Sequence, residues 1–282
     1  MASILDRYGI KEVADVTFYE IDENGLPGKP VLYLDTLKVS TIEQTAETAE
    51  ARGGKGNPML VSWDFGKDIN LSIEDALFSP KSMAIMLGNG KVVDLNKDAE
   101  GNLKEEEIEK TARARVVNGT FKFMADVYDA SVGATRKEIT VTAAAKPALS
   151  DGLTFKNAYD ELGNELTEDT LPADGYVFIR YTQKINGRKI EISADSFPGT
   201  YYVTGDTYAR SDVTGKDQFF RFIVHKAKMQ AENTITLEAE GDPSVFNMSL
   251  RVLRPDNGVM MDLIQYELEG EVTENVENGE NP

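Results

Sequence analysis

The chain has 282 residues, enough for one large domain or two ordinary ones with a sizeable core. Its formal net charge of -18, from 30 Lys and Arg against 48 Asp and Glu, disfavours a general nucleic-acid binder, because binding to phosphates needs clustered cations. The lack of cysteine excludes disulfides, thiolate catalysis and cysteine-bound zinc, and a single histidine excludes a histidine-rich metal site.

Short segments of alternating apolar and polar residues, rich in aromatic and β-branched side chains, predict strands along most of the chain. Turn sequences such as DENGLPG, NGR, DVTGKD and RPDNG separate them. The segments are VADVTFYEI, PVLYLDTLKV, MLVSWDF, KDINLSI, GTFKFMADVYD, KEITVTA, GYVFIRYTQ, RKIEISA, GTYYVTGDTYAR, DQFFRFIVHKAK, NTITLEAE, VFNMSLRVL and MMDLIQYEL. We predict a mainly β protein whose antiparallel strands form a sandwich or barrel.

Two segments predict helices beside these strands. In IEDALFSPKSMAIMLG, Ser72 is the predicted N-cap and Gly88 the stop, with Glu74 and Asp75 at the positive end of the helix and Pro80 at a start or kink. Its apolar residues are numerous enough to cover one face of a sheet. The second segment, LKEEEIEKTARAR, is charged on nearly all sides, which indicates a solvated helix or one at a subunit edge.

Changes in composition predict the domain boundaries. AAAKPALSDG, residues 143 to 152, has the composition of a linker, and a small inserted β domain is predicted over residues 144–199. Residues 1–143 and 200–268 then form the two parts of the main domain, and the acidic residues 269–282 predict a disordered tail. No signal peptide is visible, and no apolar run reaches the roughly 20 residues of a membrane helix.

Residues 47 to 65, ETAEARGGKGNPMLVSWDF, change from a helix-like acidic run to a cationic glycine-rich stretch and then to an apolar strand. One interpretation is a phosphate cradle made by Arg52, Lys55 and the glycines around them. The other is a mobile contact loop that becomes ordered only against a neighbouring subunit. The spacing of a phosphate-binding loop is missing, which favours the contact loop.

The sequence NKDAEGNLKEEE, residues 96 to 107, partly matches a calcium-binding loop. Asp98 takes the third position, Gly101 the sixth and Glu107 the twelfth. Asn96 stands where aspartate is expected, however, and Glu100 is longer than the usual fifth ligand. A plain turn explains the same residues and is the favoured interpretation.

Motifs that carry catalysis are missing: there is no GxSxG, HExxH, CxxC or Walker pattern. His225 lies in a strand-like segment, where a lone histidine indicates a structural or surface role. Trp63 alternates with apolar neighbours in a segment typical of a core or interface, whereas glycosidases need a groove rich in aromatic residues. We predict no catalytic residue, no cofactor and no enzymatic activity.

The order ETAEARGGKGNPMLVSWDFGKDINLSIEDALFSPKSMAIMLG, followed downstream by ITLEAEGDPSVFNMSLRVLRPDNGVMMDLIQYE, resembles bacteriophage tail tube (major tail) proteins, in particular those of phages of Gram-positive bacteria. The resemblance covers the chain to about residue 143 and from about residue 200. It implies a β-barrel or sandwich flanked by a helix, and hexameric rings that stack into the hollow tube of the virion tail after synthesis in the host cytoplasm.

The long loop with which that family contacts the adjacent ring corresponds in position to residues 45–57. The residues carried over are Thr45, Glu47, Glu50, Arg52, Gly53, Gly54, Lys55, Gly56 and Asn57. The implied partners are further copies of the chain, a tape-measure protein in the lumen, tail initiator and terminator proteins, and a sheath if the tail contracts. DNA would pass without specific binding, because carboxylates lining the lumen repel phosphates.

Three other classes of protein remain open. A hydrolase is the outlier among them, and it predicts an activity that is lost when one carboxylate is changed. A surface adhesin or carbohydrate-binding β-sandwich accounts for the strands and the acidity, and it predicts a thermal shift with a glycan or with calcium. A capsid decoration or tail completion protein predicts rings that do not stack.

Overall fold

The computed structural model describes residues 7–10, 12–77, 79–88, 90–142, 152–167, 170, 172–232 and 245–266. Within these ranges the protein is mainly antiparallel β structure with one helix, and no sheet closes into a barrel. This confirms the predicted mainly β fold and is consistent with a sandwich. The predicted strand NTITLEAE, the linker around residues 143–151 and the acidic tail 269–282 lie outside the described residues.

Seventeen strands and the helix follow one another along these residues. The elements are β1 (Tyr8–Ile10), β2 (Asp15–Ile21), β3 (Pro27–Leu34), β4 (Leu37–Arg52), β5 (Met59–Asp75), α1 (Pro80–Leu87), β6 (Val92–Asp94), β7 (Glu106–Val117), β8 (Thr120–Asp129), β9 (Gly133–Thr142), β10 (Leu153–Tyr159), β11 (Glu165–Leu166), β12 (Asp174–Ile185), β13 (Arg188–Ile190), β14 (Thr200–Ser211), β15 (Asp217–Met229), β16 (Phe246–Val252) and β17 (Met261–Tyr266).

The chain divides into two compact units: unit 1 combines residues 1–92 with 190–282, and unit 2 is residues 93–189. These boundaries differ from the predicted insertion at 144–199. The reason is that β12 pairs along its whole length with β7, from Asp174 opposite Val117 to Ile185 opposite Glu106. Strands β7, β8 and β9 therefore share a sheet with the residues predicted to form the insertion.

Unit 1 contains a nine-stranded sheet in the order β3-β2-β14-β15-β16-β5-β4, with β1 beside β14 and β17 beside β15. One face of this sheet carries the core, in which Phe18, Leu71 and Val224 pack with Ile85 and Met86 of α1. We call the opposite face the polar face. Side chains alternate between the two faces of a strand, so the residues next to each core-facing residue point to the polar face.

Unit 2 contains a six-stranded sheet in the order β11-β10-β12-β7-β8-β9 and has a core of its own. Phe121 of β8 stacks on Phe155 of β10 with ring centroids 5.9 Å apart, and Phe123 lies 5.3 Å from Tyr181. Contacts between the side chains of non-adjacent strands require the sheet to curve around its inner face. The remaining pair of strands, β6 with β13, forms a two-stranded sheet.

The helix α1 begins later than predicted. Residues 73–75 continue β5, where Ile73 and Asp75 are buried and pair with β16, so the predicted cap at Ser72 is wrong and so is the placement of Glu74 and Asp75 in a helix. Ser79 is the N-cap: its Oγ accepts a hydrogen bond from the Ser82 amide at 3.0 Å, and Ser82 Oγ accepts one from the Ser79 amide at 2.8 Å.

Both ends of α1 nonetheless follow signals in the sequence. Pro80 stands at the first helical position, where its missing N–H costs nothing. Gly88 ends the helix, and its amide donates to the Ala84 carbonyl at 3.1 Å. The start at Pro80 and the stop at Gly88 are therefore confirmed.

The second predicted helix, residues 103–115, is wrong because the segment forms β7. Ala114 and Val116 are buried opposite Val177 and Gly175 of β12, while Arg113 and Arg115, which alternate with them, are exposed. Glu, Lys, Arg and Ala all favour helices, but that preference is weak and pairing in a sheet overrides it. In KTARARVV, polar and apolar residues alternate with a period of two, and this alternation is the feature of the sequence that indicates a strand.

Gly205 of β14 lies directly opposite Phe222 of β15 on the core face. A Cβ at position 205 would overlap the ring of Phe222, which lies over the glycine. Phe222 is itself buried in the core of unit 1. The packing at the centre of the sheet therefore requires a residue without a side chain at position 205.

We predict that Gly205→Ala destabilises the protein by about 1–3 kcal/mol, because the Phe222 ring must leave its place in a packed core. Urea unfolding followed by circular dichroism measures the loss. The matched control is Gly9→Ala in β1, where an added Cβ meets nothing within 4 Å; its effect should stay within about 0.5 kcal/mol. Equal midpoints for the two variants would contradict the assigned contact.

Candidate functional site

The hairpin of β4 and β5 extends well beyond its sheet. At its base β5 pairs with β16 from Asp75 to Asn70, and Ile69, Leu71 and Ile73 are buried. Beyond this base, residues 45–68 pair only with each other among the described strands. We call this two-stranded ribbon the arm. Its eight residues from Thr45 to Arg52 span roughly 26 Å at 3.3 Å per residue.

The predicted contact loop, residues 45–57, is thus mostly strand. Thr45, Glu47, Glu50 and Arg52 lie in β4, so the helix-like appearance of this run was misleading. Only the residues from Gly53 to Pro58 leave the ladder, at the tip of the arm. The structure brings the predicted residues together along one strand and one turn, and the facing strand β5 adds residues that the prediction left out.

The tip is a tight turn. Gly54, Gly56 and Asn57 have positive φ angles of 84°, 86° and 52°, a region that favours glycine and asparagine. The Gly53 amide donates to the Pro58 carbonyl at 3.2 Å, and the Asn57 amide donates to the Gly54 carbonyl at 3.1 Å. These two amides are used within the turn, so the glycines serve its geometry rather than a phosphate cradle.

The two faces of the arm differ in chemistry. The directly opposed pairs Glu47–Phe65, Ala49–Trp63 and Ala51–Val61 lie on one face, which we call the apolar stripe. The pairs Thr48–Asp64 and Glu50–Ser62 lie on the other. Arg52 adds an ion pair with Glu50 at 2.6 Å near the tip. A ribbon with one apolar and one polar face is suited to lie against another surface.

A bulge at Gly66 decides which way the apolar stripe faces. The register shifts between Thr45 and Glu47, and Gly66 has a φ of 61°. As a result Phe65 lies on the same side as Asp68, whereas Ile69 points to the core. The apolar stripe therefore continues the polar face of unit 1. If residues 65–69 alternated without a bulge, Phe65 would share the face of Ile69 and the stripe would continue the core face.

The large side chains of the stripe are open to solvent. Trp63 is 57% exposed, Phe65 52% and Val61 46%. Trp63 is therefore not a core residue, which leaves the predicted alternative of an interface. Contiguous exposed apolar residues on an otherwise polar ribbon mark a binding surface, and tryptophan is a frequent hot spot in such surfaces.

The calcium candidate is a hydrogen-bonded turn. Asp98 Oδ1 accepts from the amides of Glu100 at 3.1 Å and Asn102 at 2.8 Å, and Oδ2 accepts from Asn102 Nδ2 at 3.1 Å. Hydrogen bonds from the Asn102 side chain and then its backbone lower the pKa of Asp98. Gly101 supplies the positive φ of 87°.

Glu107, the predicted twelfth ligand, lies in β7 opposite Lys184. The same turn recurs at DELGN, where Asp160 accepts from the Asn164 amide at 2.8 Å, so two segments with the pattern DxxGN adopt one geometry. Nowhere in the described ranges do three His, Asp or Glu side chains cluster as a metal site would require.

His225 has a partner within the sheet. Its Nε2 lies 2.8 Å from Asp262 Oδ2, and the edge of its ring contacts Tyr202 with centroids 5.4 Å apart. Asp262 and Tyr202 come from the strands on either side of β15. The predicted structural role of this histidine agrees with that position.

None of the helices in the described part of the chain is long and apolar enough to cross a membrane. A search of curated proteins found no match to the chain. A family model, described as the YomU/Tube protein family, matches residues 8–265. The match includes residues 144–199, which the resemblance to tail tube proteins had left out. The chain therefore belongs to the YomU/Tube protein family, in agreement with the predicted resemblance to phage tail tube proteins.

Proposed function

We propose that the chain forms hexameric rings that stack into the hollow tail tube through which phage DNA is delivered to the host. The observation that carries the proposal is the arm, a preformed ribbon with an exposed apolar stripe. A monomer gains nothing from exposing tryptophan and phenylalanine on such a ribbon, whereas a neighbouring copy would bury them. The proposal involves no enzymatic step.

The nine-stranded sheet supports assembly through its edges. β3 and β4 stand at the two ends of the sheet order. An exposed strand edge presents unpaired N–H and C=O groups, which natural proteins cover or pair with another strand. In a ring, the edge of one copy would pair with the edge of the next, and the arm would reach the adjacent ring.

We further propose that the polar face of unit 1 lines the lumen, because the helix α1 covers the opposite face. Asp15 and Glu43 are exposed on this face. Other carboxylates of the same face are paired: Asp206 accepts from Arg221 Nε at 2.6 Å and Nη2 at 2.9 Å, and Asp68 accepts from Arg251 Nε at 2.9 Å. Arginines held in this way are less available to DNA phosphates.

The proposed partners follow from this arrangement. They are further copies of the chain, a tape-measure protein in the lumen, initiator and terminator proteins at the tube ends, and a sheath if the tail contracts. Synthesis in the host cytoplasm and incorporation into the virion tail belong to the same proposal.

Negative-stain electron microscopy of the purified protein over a concentration series tests the proposal. Hollow, regularly striated tubes are the expected result, with added tail-tip components if an initiator is required. Rings that never stack would instead favour a decoration or completion protein. Persistent monomers that gain thermal stability from a glycan or from calcium would favour the adhesin alternative.

We predict that replacing residues 46–67 by Asn-Gly abolishes tubes and leaves unit 1 folded. Thr45 and Asp68 already face each other in the ladder, so a short turn can join the remaining strands, and the buried base of the hairpin is retained. Microscopy measures tube formation, and thermal unfolding checks the fold. Tubes of normal length from this variant would refute an essential role of the arm.

We predict that Trp63→Ser combined with Phe65→Ser prevents stacking without destabilising the monomer. Both side chains are more than half exposed, so monomer stability should change by no more than about 0.5 kcal/mol, whereas loss of a hot spot typically costs about 2 kcal/mol or more per contact. Light scattering against concentration measures assembly.

The matched control for this double variant is Tyr128→Ser in unit 2, which removes an aromatic side chain that is 81% exposed and lies outside the arm. It should assemble like the unchanged protein. Equal loss of assembly in the control and in the double variant would show that the effect is not specific to the apolar stripe.

A further inference from the structure

Along β7, the outward-facing side chains are acidic at one end of the strand and basic at the other. Glu107, Glu109, Thr111, Arg113 and Arg115 are all exposed and alternate with residues on the inner side of the strand. They share one face of the sheet of unit 2 at intervals of two residues, or about 6.6 Å. The row is therefore acidic at one end and basic at the other, over a total of about 26 Å.

The basic end of the row is crowded with cations and aromatic rings. Arg115 faces Lys122 of β8 directly, and like charges in directly opposed positions destabilise a sheet. The guanidinium of Arg113 lies 4.0 Å from the ring centroid of Tyr176, which holds it against the surface. Tyr176 and Phe178, opposite Arg115 and Arg113 on β12, are 49% and 39% exposed.

These two arginines lack the ion pairs found elsewhere on the unit. Among the described residues no carboxylate forms an ion pair with Arg113 or Arg115, and Lys122 has a long ion pair with Glu138 at 3.9 Å. Within the described residues of unit 2, only the long contact of Lys122 with Glu138 offsets this repulsion. Local rules are broken in this manner mainly where a surface serves another purpose.

The acidic end has the opposite arrangement. Glu109 pairs with Arg180, and Lys184 pairs with Glu105 at 2.8 Å. Glu107 stands opposite Lys184 in the ladder, but within the described residues it has no ion pair of its own. Glu107 therefore offers carboxylate oxygens without an ion pair of its own, on the same face on which the basic end offers guanidinium groups.

We propose that unit 2 binds unit 2 of a second copy through this row, with the acidic end of one copy, Glu107 and Glu109, against the basic end of the next, Arg113, Arg115 and Lys122. Charge complementarity identifies the occupant, because one strand presents both halves of the contact. Arginine and tyrosine are also the residue types enriched at protein–protein hot spots. A chain of net charge -18 that associates with itself needs such a concentration of cations.

A contact between two different ends is heterologous, so it propagates from copy to copy and does not stop at a dimer. The contact uses no residue of the arm, and it goes beyond the proposed stacking function by giving unit 2 a role in assembly. Because guanidinium and carboxylate groups on an exposed face are screened by salt, the association weakens as ionic strength rises.

The test uses the protein whose residues 46–67 are replaced by Asn-Gly, so that contacts through the arm do not contribute. Sedimentation velocity at about 20 mM and about 500 mM salt should show larger oligomers at the lower concentration than at the higher, where the screening length falls to a few ångströms. Species that persist at the higher concentration are attributed to pairing of the sheet edges in unit 1. The same size distribution at both salt concentrations, or no species beyond a dimer at the lower one, would overturn the proposal.

Two charge variants in the same background test the pairing itself. Arg113→Glu with Arg115→Glu makes the row entirely acidic, and Glu107→Arg with Glu109→Arg makes it entirely basic. Each variant alone should associate at least about tenfold more weakly, and an equimolar mixture should recover association. The control Lys216→Glu with Arg254→Glu, at exposed positions of unit 1 outside β3 and β4, lowers the net charge as much as the acidic variant does and should behave like its parent. Failure of the mixture to associate would refute the proposed contact.

Discussion

The backbone pairing of β4 with β5 is the interaction on which the candidate site depends. At its base the pair belongs to the nine-stranded sheet and is stabilised by buried Leu71 and Ile73. Further out the same ladder continues with no core beneath it. A two-stranded ribbon alone is marginal in water, so the arm retains its form because its base is part of a larger sheet. The anchored base makes an exposed apolar stripe compatible with a folded monomer.

The bulge at Gly66 links this local geometry to function. It places Phe65, Trp63 and Val61 on the side of the ribbon that continues the polar face, away from the core. If the alternation ran unbroken, the stripe would continue the core face and the polar pairs would turn to the other side. The bulge, in which Gly66 has a positive φ, thus decides which surface of unit 1 the arm extends.

The sequence was sufficient for the strands whose alternation is strong, such as Thr120–Asp129, and for the start and stop of α1 at Pro80 and Gly88. The sequence was insufficient where the composition of a segment favours one secondary structure and its pairing with another strand imposes a different one. Residues 106–117 have helix-forming side chains but pair with β12, and residues 45–52 have no buried face that would make them read as a strand. Trp63 was recognised as core or interface, but only the register shows which face it occupies. Such registers depend on residues distant in the sequence.

The two proposed contacts rest on different physics and therefore respond differently to conditions. The arm offers apolar area, and its association is favoured by the removal of that area from water, which salt does not weaken. The row on β7 offers opposed charges on an exposed face, and its contribution decreases within a screening length of about 10 Å at 0.1 M salt and about 3 Å at 1 M. Glu107 belongs to this second surface, although its position had suggested a calcium ligand. A polymer held by both kinds of contact would lose its unit 2 contacts first as salt increases, while contacts through the apolar stripe remain. The division of the chain into two units would then separate the contact that builds the polymer from the contact that adjusts its strength.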